Sequence, residues 1–315
     1  MNLNTIITGD SLEVLRSMAD ESVDMCVTSP PYYGLRNYGV DGQIGLETTP
    51  EEYVEKLVEI FREVRRILKP DGTLWLNLGD SYATSSGPQP PRNTRNQQGH
   101  TKKQVPAGYK PKDLIGIPWL VAFALRADSW YLRQDIVWQK TNCMPESVRD
   151  RCTRSHEYVF MLAKSRRYYF DGEAISEPIT GNSTERYIRE LKNGETSTPH
   201  LPRFGGNKYV TEGDPVDRRK GSSTYIPKLR RNKRDVWSTC TGGFKGAHFA
   251  VFPPALIRPC ILAGCRPGGV VLDPFIGSGT TALVAIEEGR NYIGIEINPD
   301  YTTMATERIR QARKE

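Results

Sequence analysis

Two short apolar runs in opposite halves of the chain each stop at a turn that leaves backbone groups open. Val23 to Thr28 (Val-Asp-Met-Cys-Val-Thr) ends in Ser29-Pro30-Pro31-Tyr32, and Val270-Val271-Leu272 ends in Asp273-Pro274-Phe275-Ile276-Gly277-Ser278-Gly279-Thr280-Thr281. Apolar, β-branched runs bounded by turn residues read as buried strands. Around them lie the expected strands Thr5 to Thr8, Thr73 to Leu78, Leu132 to Gln139, Glu157 to Lys164 and Tyr292 to Ile297, and the helices Ser11 to Met18, Pro50 to Leu68, Ile117 to Ala127, Pro254 to Ala263, Thr280 to Glu288 and Tyr301 to Arg313. Strands alternating with helices predict an α/β chain with a doubly wound, mostly parallel sheet. The clearest helix is the second. Proline opens it, Tyr53, Leu57, Ile60, Phe61, Val64 and Leu68 form one apolar face, and Lys69-Pro70-Asp71-Gly72 stops it.

The alternation fails in two places. Residues 172–247 are rich in Gly, Pro, Ser, Thr, Asn and Arg and show no sustained period, and Ser81 to Lys112 has the same character. The division expected is 1–171, an insertion at 172–247, and 248–315. Both irregular stretches are basic. Ser81 to Lys112 carries +6 and residues 172–247 carry +5, which together exceed the whole chain's +6 and leave −5 for the remainder. Positive charge gathered in irregular loops suits a polyanion such as nucleic acid; it also suits a plain solvated surface.

Other classes are disfavoured. The six cysteines include no Cys-x-x-Cys pair and no histidine at finger spacing, so no metal site and no disulfide framework is expected. No run reaches the ~20 apolar residues of a membrane span, and the expectation is a soluble, intracellular protein with no membrane partner.

The two turns carry the chemistry. Gly277 and Gly279 let a ligand approach the backbone, and the helix that follows offers unpaired N–H groups to a carboxylate or phosphate. Glu296 lies 19 residues beyond Gly277 at the end of the next strand, where an acid can accept both hydroxyls of a ribose. In Ser29-Pro30-Pro31-Tyr32 the prolines remove donors and fix the backbone, so the carbonyls around Ser29 and Pro30 are free to accept hydrogen bonds, of which an exocyclic amino group on a base offers two, and Tyr32 can stack on that base.

Taken with Gly9-Asp10, the His248 to Pro253 run and Gly294 to Pro299, these motifs make the chain resemble, over nearly its whole length, the amino-directed DNA methyltransferases that use S-adenosylmethionine. The resemblance is to the beta class, circularly permuted so that the catalytic motif precedes the cofactor motif on a Rossmann-like fold. It implies that Asp273, Phe275, Gly277, Ser278, Gly279 and Thr280 hold the methionine end of the cofactor and that Glu296 takes the ribose. Asp10 would lie near the adenine, with Phe252 or Pro253 closing the pocket, while Ser29, Pro30, Pro31 and Tyr32 would grip the target base. Residues 172–247 would be the target-recognition region, and Lys102, Lys103, Arg218, Arg219, Lys220, Arg230, Arg231, Lys233 and Arg234 would meet double-stranded DNA, in the cytoplasm of a prokaryotic or phage-infected cell. The target base must be flipped out of the duplex.

In that family Ser-Pro-Pro-Tyr mostly accompanies cytosine N4, and motifs headed by Asp or Asn mostly adenine N6; the serine favours cytosine and adenine stays open. Tyr33, Trp138 and Lys140 are further candidates for shaping the base pocket. Methylation at cytosine C5 would need a nucleophilic cysteine. The Pro259-Cys260 pair lies in an apolar helical run, so Cys260 reads as core. An RNA or protein amide methyltransferase, or a non-catalytic DNA-binding module, are the competing classes.

Overall fold

A computed structural model describes residues 2–35, 39–83, 105–178, 230–241 and 252–312. Its centre is an eight-stranded sheet. In chain order the strands are β1 (Thr5–Thr8), β2 (Val23–Thr28), β3 (Leu68–Leu78), β4 (Tyr131–Lys140), β5 (His156–Ala163), β8 (Val236–Thr239), β9 (Val270–Asp273) and β10 (Asn291–Glu296), arranged β1-β10-β9-β2-β3-β5-β4-β8. Only β5 runs against its neighbours.

Both faces of the sheet are covered, which is why the central strands are apolar at successive positions rather than alternate ones. Helices α1 (Ser11–Ser17), α2 (Pro50–Ile67) and α3 (Ile117–Ala127) pack in sequence on one face, over Val23, Cys26, Leu74, Leu76 and Leu272. Helices α4 (Pro254–Gly264), α5 (Thr280–Glu287) and α6 (Pro299–Ala312) lie on the other, over Met25, Val27, Trp75 and Val271. Cys260 is fully buried in that second layer, as a core residue.

Helix α2 shows how local chemistry places an element. Thr49 accepts from the Glu52 N–H at 3.2 Å while Glu52 accepts from the Thr49 N–H at 3.2 Å, a reciprocal cap. Such a cap is worth about 1 kcal/mol. Proline at the first turn satisfies the same end, and Tyr53, Leu57, Ile60, Phe61, Val64 and Ile67 bury the predicted face. The chain then passes straight into β3 at Leu68, five residues before the expected start, because Lys69 reaches both oxygens of Asp24 at 2.9 Å and holds the segment beside β2.

Connections leave the middle of the sheet in opposite directions. From β2 the chain steps through α2 to β3 on one side, and from β9 through α5 to β10 on the other, while β2 and β9 are themselves paired, Met25 with Val271 and Cys26 with Leu272. A crevice therefore opens at their carboxyl ends, where open α/β sheets bind ligands. Both turns singled out in the sequence emerge there. The first strand joins the last ones: Thr5 to Thr8 pair in parallel with Ile293 to Glu296.

The chain divides into two compact units, Met1–Ile175 with Arg234–Glu315, and Ser176–Lys233. Within the second, β6 (Glu177–Pro178) and β7 (Arg230–Arg231) form a short antiparallel pair. Strand β8, which falls inside the stretch without sustained period, belongs to the first unit and pairs with β4 through Val137 to Lys140. No helix among the described residues is long and apolar enough to cross a membrane.

Candidate active site

The β9 turn is built around a buried acid. Asp273 is 1% exposed and accepts hydrogen bonds from the Thr28 hydroxyl at 2.6 Å, the Thr281 hydroxyl at 2.5 Å and the Phe275 N–H at 3.0 Å. Burial pushes its carboxyl up to about 6, against the pull of those three donors. One side chain thus ties the end of β2, the turn and the start of α5 together. Beyond it Gly277 (φ 49°) and Gly279 (φ 82°) take the left-handed backbone that glycine adopts without strain, as the turn reading requires.

Glu296 closes the other wall. Its carboxylate accepts from the Gly277 N–H at 3.0 Å through Oε2 and from the Asn298 N–H at 3.0 Å through Oε1, which fixes its plane. It is 8% exposed, and burial raises its carboxyl above the ordinary range. Because Thr8 sits opposite Glu296, the Gly9-Asp10 turn comes to the same place; Gly9 donates to the Glu296 carbonyl at 2.9 Å, and Asp10 Oδ1 caps α1 through the Leu12 and Glu13 N–H groups at 2.9 and 3.0 Å. Arg308, from α6, donates to the Ser278 carbonyl at 2.9 Å and to the Ser278 and Thr280 hydroxyls at 3.1 Å. Nothing local marks Arg308 in the sequence; it is one cation on an amphipathic helix.

The β2 turn forms the facing wall. The Tyr53 hydroxyl donates to the Pro31 carbonyl at 2.8 Å, and among the described residues no donor is aimed at the Pro30 carbonyl. Tyr32 is anchored by its hydroxyl, which donates to Glu157 Oε2 at 2.7 Å, lies 3.2 Å from Asn77 Oδ1 and accepts from the Ser29 hydroxyl at 3.3 Å. Burial, and next the Glu157 charge, push the Tyr32 phenol well above its usual range. Gly79 leaves the space this ring fills: a Cβ there would stand 2.6 Å from Tyr32 Cε2. Asn77 also donates to Glu157 Oε2 at 3.2 Å, and Lys140 forms an ion pair with Glu157.

Asp10, Ser29, Pro30, Pro31, Tyr32, Phe252, Phe275, Gly277, Ser278, Thr280 and Glu296 line one cleft of about 1090 Å³, counting its open mouth. Among the predicted site residues described, Asp273, Gly279 and Pro253 are not part of that lining. Asp273 works from behind it. Leu35, Gln43, Ile44, Ile297 and Tyr301 are among the further residues of the wall, none of them expected as a site residue. Tyr33 and Trp138 lie in the core, 7% and 3% exposed.

The donors and acceptors fit a nucleoside sulfonium. A fixed carboxylate with lone pairs left on both oxygens suits a ribose diol, the apolar edges of Phe252, Phe275 and Ile297 suit a purine, and the α5 start with Ser278 and Thr280 suits an amino acid's polar end.

Of the basic residues expected to meet DNA, Lys102, Lys103, Arg218, Arg219 and Lys220 lie outside the described residues. Arg230 Nε donates to the Ser176 hydroxyl at 2.7 Å, and Arg231 and Lys233 both flank Glu177, at 3.6 and 3.5 Å. The Arg234 carbonyl accepts from the Trp237 indole at 2.6 Å.

The chain is similar to known proteins over nearly its whole length. The chain is 46% identical to the Type II methyltransferase M.SmaI of Serratia marcescens, over 98% of this chain and 91% of that one. It is 45% identical to M.Cfr9I of Citrobacter freundii, over 98% and 88%. In fold it matches the PvuII DNA methyltransferase (cytosine-N4-specific), with a TM-score of 0.60 at 19% identity over 98% of this chain and 90% of that one. It also matches a Thermus thermophilus protein solved as a complex with S-adenosyl-L-methionine, with a TM-score of 0.58 at 22% identity over 98% and 93%. The DNA methylase family of N6 and N4 enzymes matches over residues 23–307, and the chain belongs to that family.

Proposed function

We propose that the protein transfers a methyl group from S-adenosylmethionine to the exocyclic N4 of a cytosine flipped out of double-stranded DNA. The observation that carries this is the meeting of the Ser29-Pro30 turn with the Gly277 and Glu296 turn in a single cleft. An exocyclic amino nitrogen is a poor nucleophile because its lone pair is delocalised into the ring. Ser29 and the Pro30 carbonyl take its two hydrogens, which favours a pyramidal nitrogen with its lone pair turned toward the opposite wall. When bound, S-adenosylmethionine supplies an electrophilic methyl. The protein's own work is positioning: Glu296 and the Gly277 turn fix one partner, Ser29 to Tyr32 the other, and the Tyr32 ring replaces the stacking lost on flipping. No covalent bond to the protein is needed.

Serine at the head of the turn supports cytosine over adenine. The Type II methyltransferases among its relatives support a place beside a restriction enzyme in a bacterial cytoplasm. Residues 172–247 are proposed to read the DNA sequence, with Lys102, Lys103 and the arginine and lysine clusters between Arg218 and Arg234 on phosphates.

Mass spectrometry of nucleosides from DNA of cells expressing the protein tests this directly. N4-methylcytosine is expected; N6-methyladenine in its place would move the target to adenine, and neither product would overturn the reading. Ser29→Ala is expected to lower turnover at least ~100-fold, the scale of a lost positioned hydrogen-bonding group, with the affinity for S-adenosylmethionine nearly unchanged.

A further inference from the structure

Behind Tyr32 lies a polar chain that methyl transfer does not by itself require. Lys140 from β4 is paired with Glu157 from β5, Glu157 receives the Asn77 amide from β3 at 3.2 Å, and the Tyr32 hydroxyl donates to Glu157 Oε2 at 2.7 Å. A tyrosine hydroxyl has one hydrogen to give. Two acceptors are near it, Glu157 Oε2 at 2.7 Å and Asn77 Oδ1 at 3.2 Å, and the shorter contact to a charged acceptor takes the proton. Both hydrogens of the Asn77 amide are also committed, to Glu157 at 3.2 Å and to the Tyr158 carbonyl at 3.1 Å.

The direction of every bond in this chain then follows. With its hydrogen given to Glu157, the Tyr32 oxygen can only accept, and its partner is the Ser29 hydroxyl at 3.3 Å. That distance is long for two hydroxyls, and it is the direction rather than the strength that matters: the Ser29 hydrogen points away from the target base and its lone pairs toward it. The Pro30 carbonyl beside it has lone pairs only.

We infer that Glu157, seated by Lys140 and Asn77, is a positioning residue that acts through Tyr32 to hold Ser29 as an obligate hydrogen-bond acceptor, so that the cleft selects a base presenting an amino group over one presenting a carbonyl at the same place. This rests on the amino-methyltransferase reading above. It adds a discrimination that the Ser29 side chain alone lacks, because a free serine hydroxyl donates to a carbonyl as readily as it accepts from an amine. Burial keeps the Tyr32 phenol protonated and hence a donor to Glu157.

The variants differ in a readable way. Tyr32→Phe removes the relay and frees the Ser29 hydrogen. In Glu157→Gln, Lys140 claims the new amide oxygen and the amide N–H groups face Tyr32, so the tyrosine hydrogen loses its charged acceptor and is shared between Asn77 Oδ1 at 3.2 Å and Ser29, which frees the serine hydrogen part of the time. The test uses a duplex containing the site mapped from plasmid methylated by the protein. The target position holds cytosine or uracil, each opposite an abasic gap so that neither is paired, and binding is measured with S-adenosylhomocysteine present.

Wild type should prefer cytosine by about tenfold or more, since uracil would leave buried acceptors facing an oxygen. Tyr32→Phe should reduce that preference to about threefold or less, Glu157→Gln should reduce it to a value between wild type and Tyr32→Phe, and the double variant should go no further than Tyr32→Phe alone, because the two act in one chain. S-adenosylhomocysteine affinity within about twofold of wild type certifies the cofactor site. Retention of the full preference in both single variants overturns the inference, and if Glu157→Gln loses its cofactor affinity, Tyr32→Phe decides alone. A wild-type protein that methylates no plasmid DNA defeats the underlying reading instead, and is seen before any variant is made.

Discussion

Asp273 is the most exacting place to test the electrostatics of the sheet's centre. The carboxyl is 1% exposed and its pKa rises from 3.8 to about 6, chiefly through burial, although Thr28, Thr281 and the Phe275 N–H all favour the ionised form. At ~1.36 kcal/mol per unit, that rise corresponds to about 3 kcal/mol of preference for the protonated form in the folded state. For an acid raised on folding, the stabilising contribution is fully present below 3.8 and is lost as pH climbs through about 6. Replacing Asp273 with asparagine removes the titration while nearly conserving shape. The asparagine keeps one acceptor oxygen and faces at least one threonine hydroxyl with its amide, a change that shifts stability without any pH dependence. Urea unfolding of wild type and Asp273→Asn, without cofactor, from about pH 4 to about pH 7.5 should show the stability difference, wild type minus variant, falling by about 2.5 kcal/mol across the window with an unchanged urea dependence. Parallel stability curves, or a difference that grows with pH, would refute the reasoning. Parallel curves would mean that the three donors balance burial, and a difference that grows with pH that they outweigh it.

Gly79→Ala should cost about 1–3 kcal/mol of stability, since its Cβ would stand 2.6 Å from the Tyr32 ring, and should lower methylation turnover more than cofactor affinity; calorimetry and steady-state assays on the same sample separate the two. Glu296→Gln turns an amide N–H toward the Gly277 or Asn298 N–H now bonded to the carboxylate, so S-adenosylmethionine should bind about 10- to 100-fold more weakly by titration calorimetry, the scale of one or two charge-assisted hydrogen bonds. Arg230→Ala should reduce the salt slope of DNA binding by about 1 if Arg230 meets a phosphate. An unchanged slope would restrict Arg230 to its bonds with Ser176.

What is legible in the sequence is whatever is decided locally. Strand β2, helix α3 and the Gly277 turn lie where the sequence places them because apolar runs, a first-turn proline and glycines in left-handed backbone act over a few residues. Strand β8 escapes such reading because its four residues carry little local signal; it holds its place through Trp237, 5% exposed, and through pairing with β4 about a hundred residues earlier in the chain. The early start of β3 depends on Lys69 finding Asp24. At the site, the sequence offers Tyr32 as a ring but not the anchor beneath it, since Asn77, Lys140 and Glu157 meet only because the antiparallel β5 is threaded between β3 and β4. It shows an acid at the end of β9 and cannot show that Asp273 turns inward, toward Thr28, rather than into the cleft.

The bond between Thr28 and Asp273 spans 245 residues, and it sets an order of events during synthesis. Until β9 leaves the ribosome, the fully buried strand β2 has β3 on one side and nothing on the other, an apolar edge of the kind that recruits foreign strands. At ~5–20 residues per second that exposure lasts for tens of seconds. Contacts so far apart also make the closing step slow. A chain halted before residue 270 should therefore be found in aggregates or on chaperones, and the pocket and its protection against misassembly are completed together when β9 slides in beside β2.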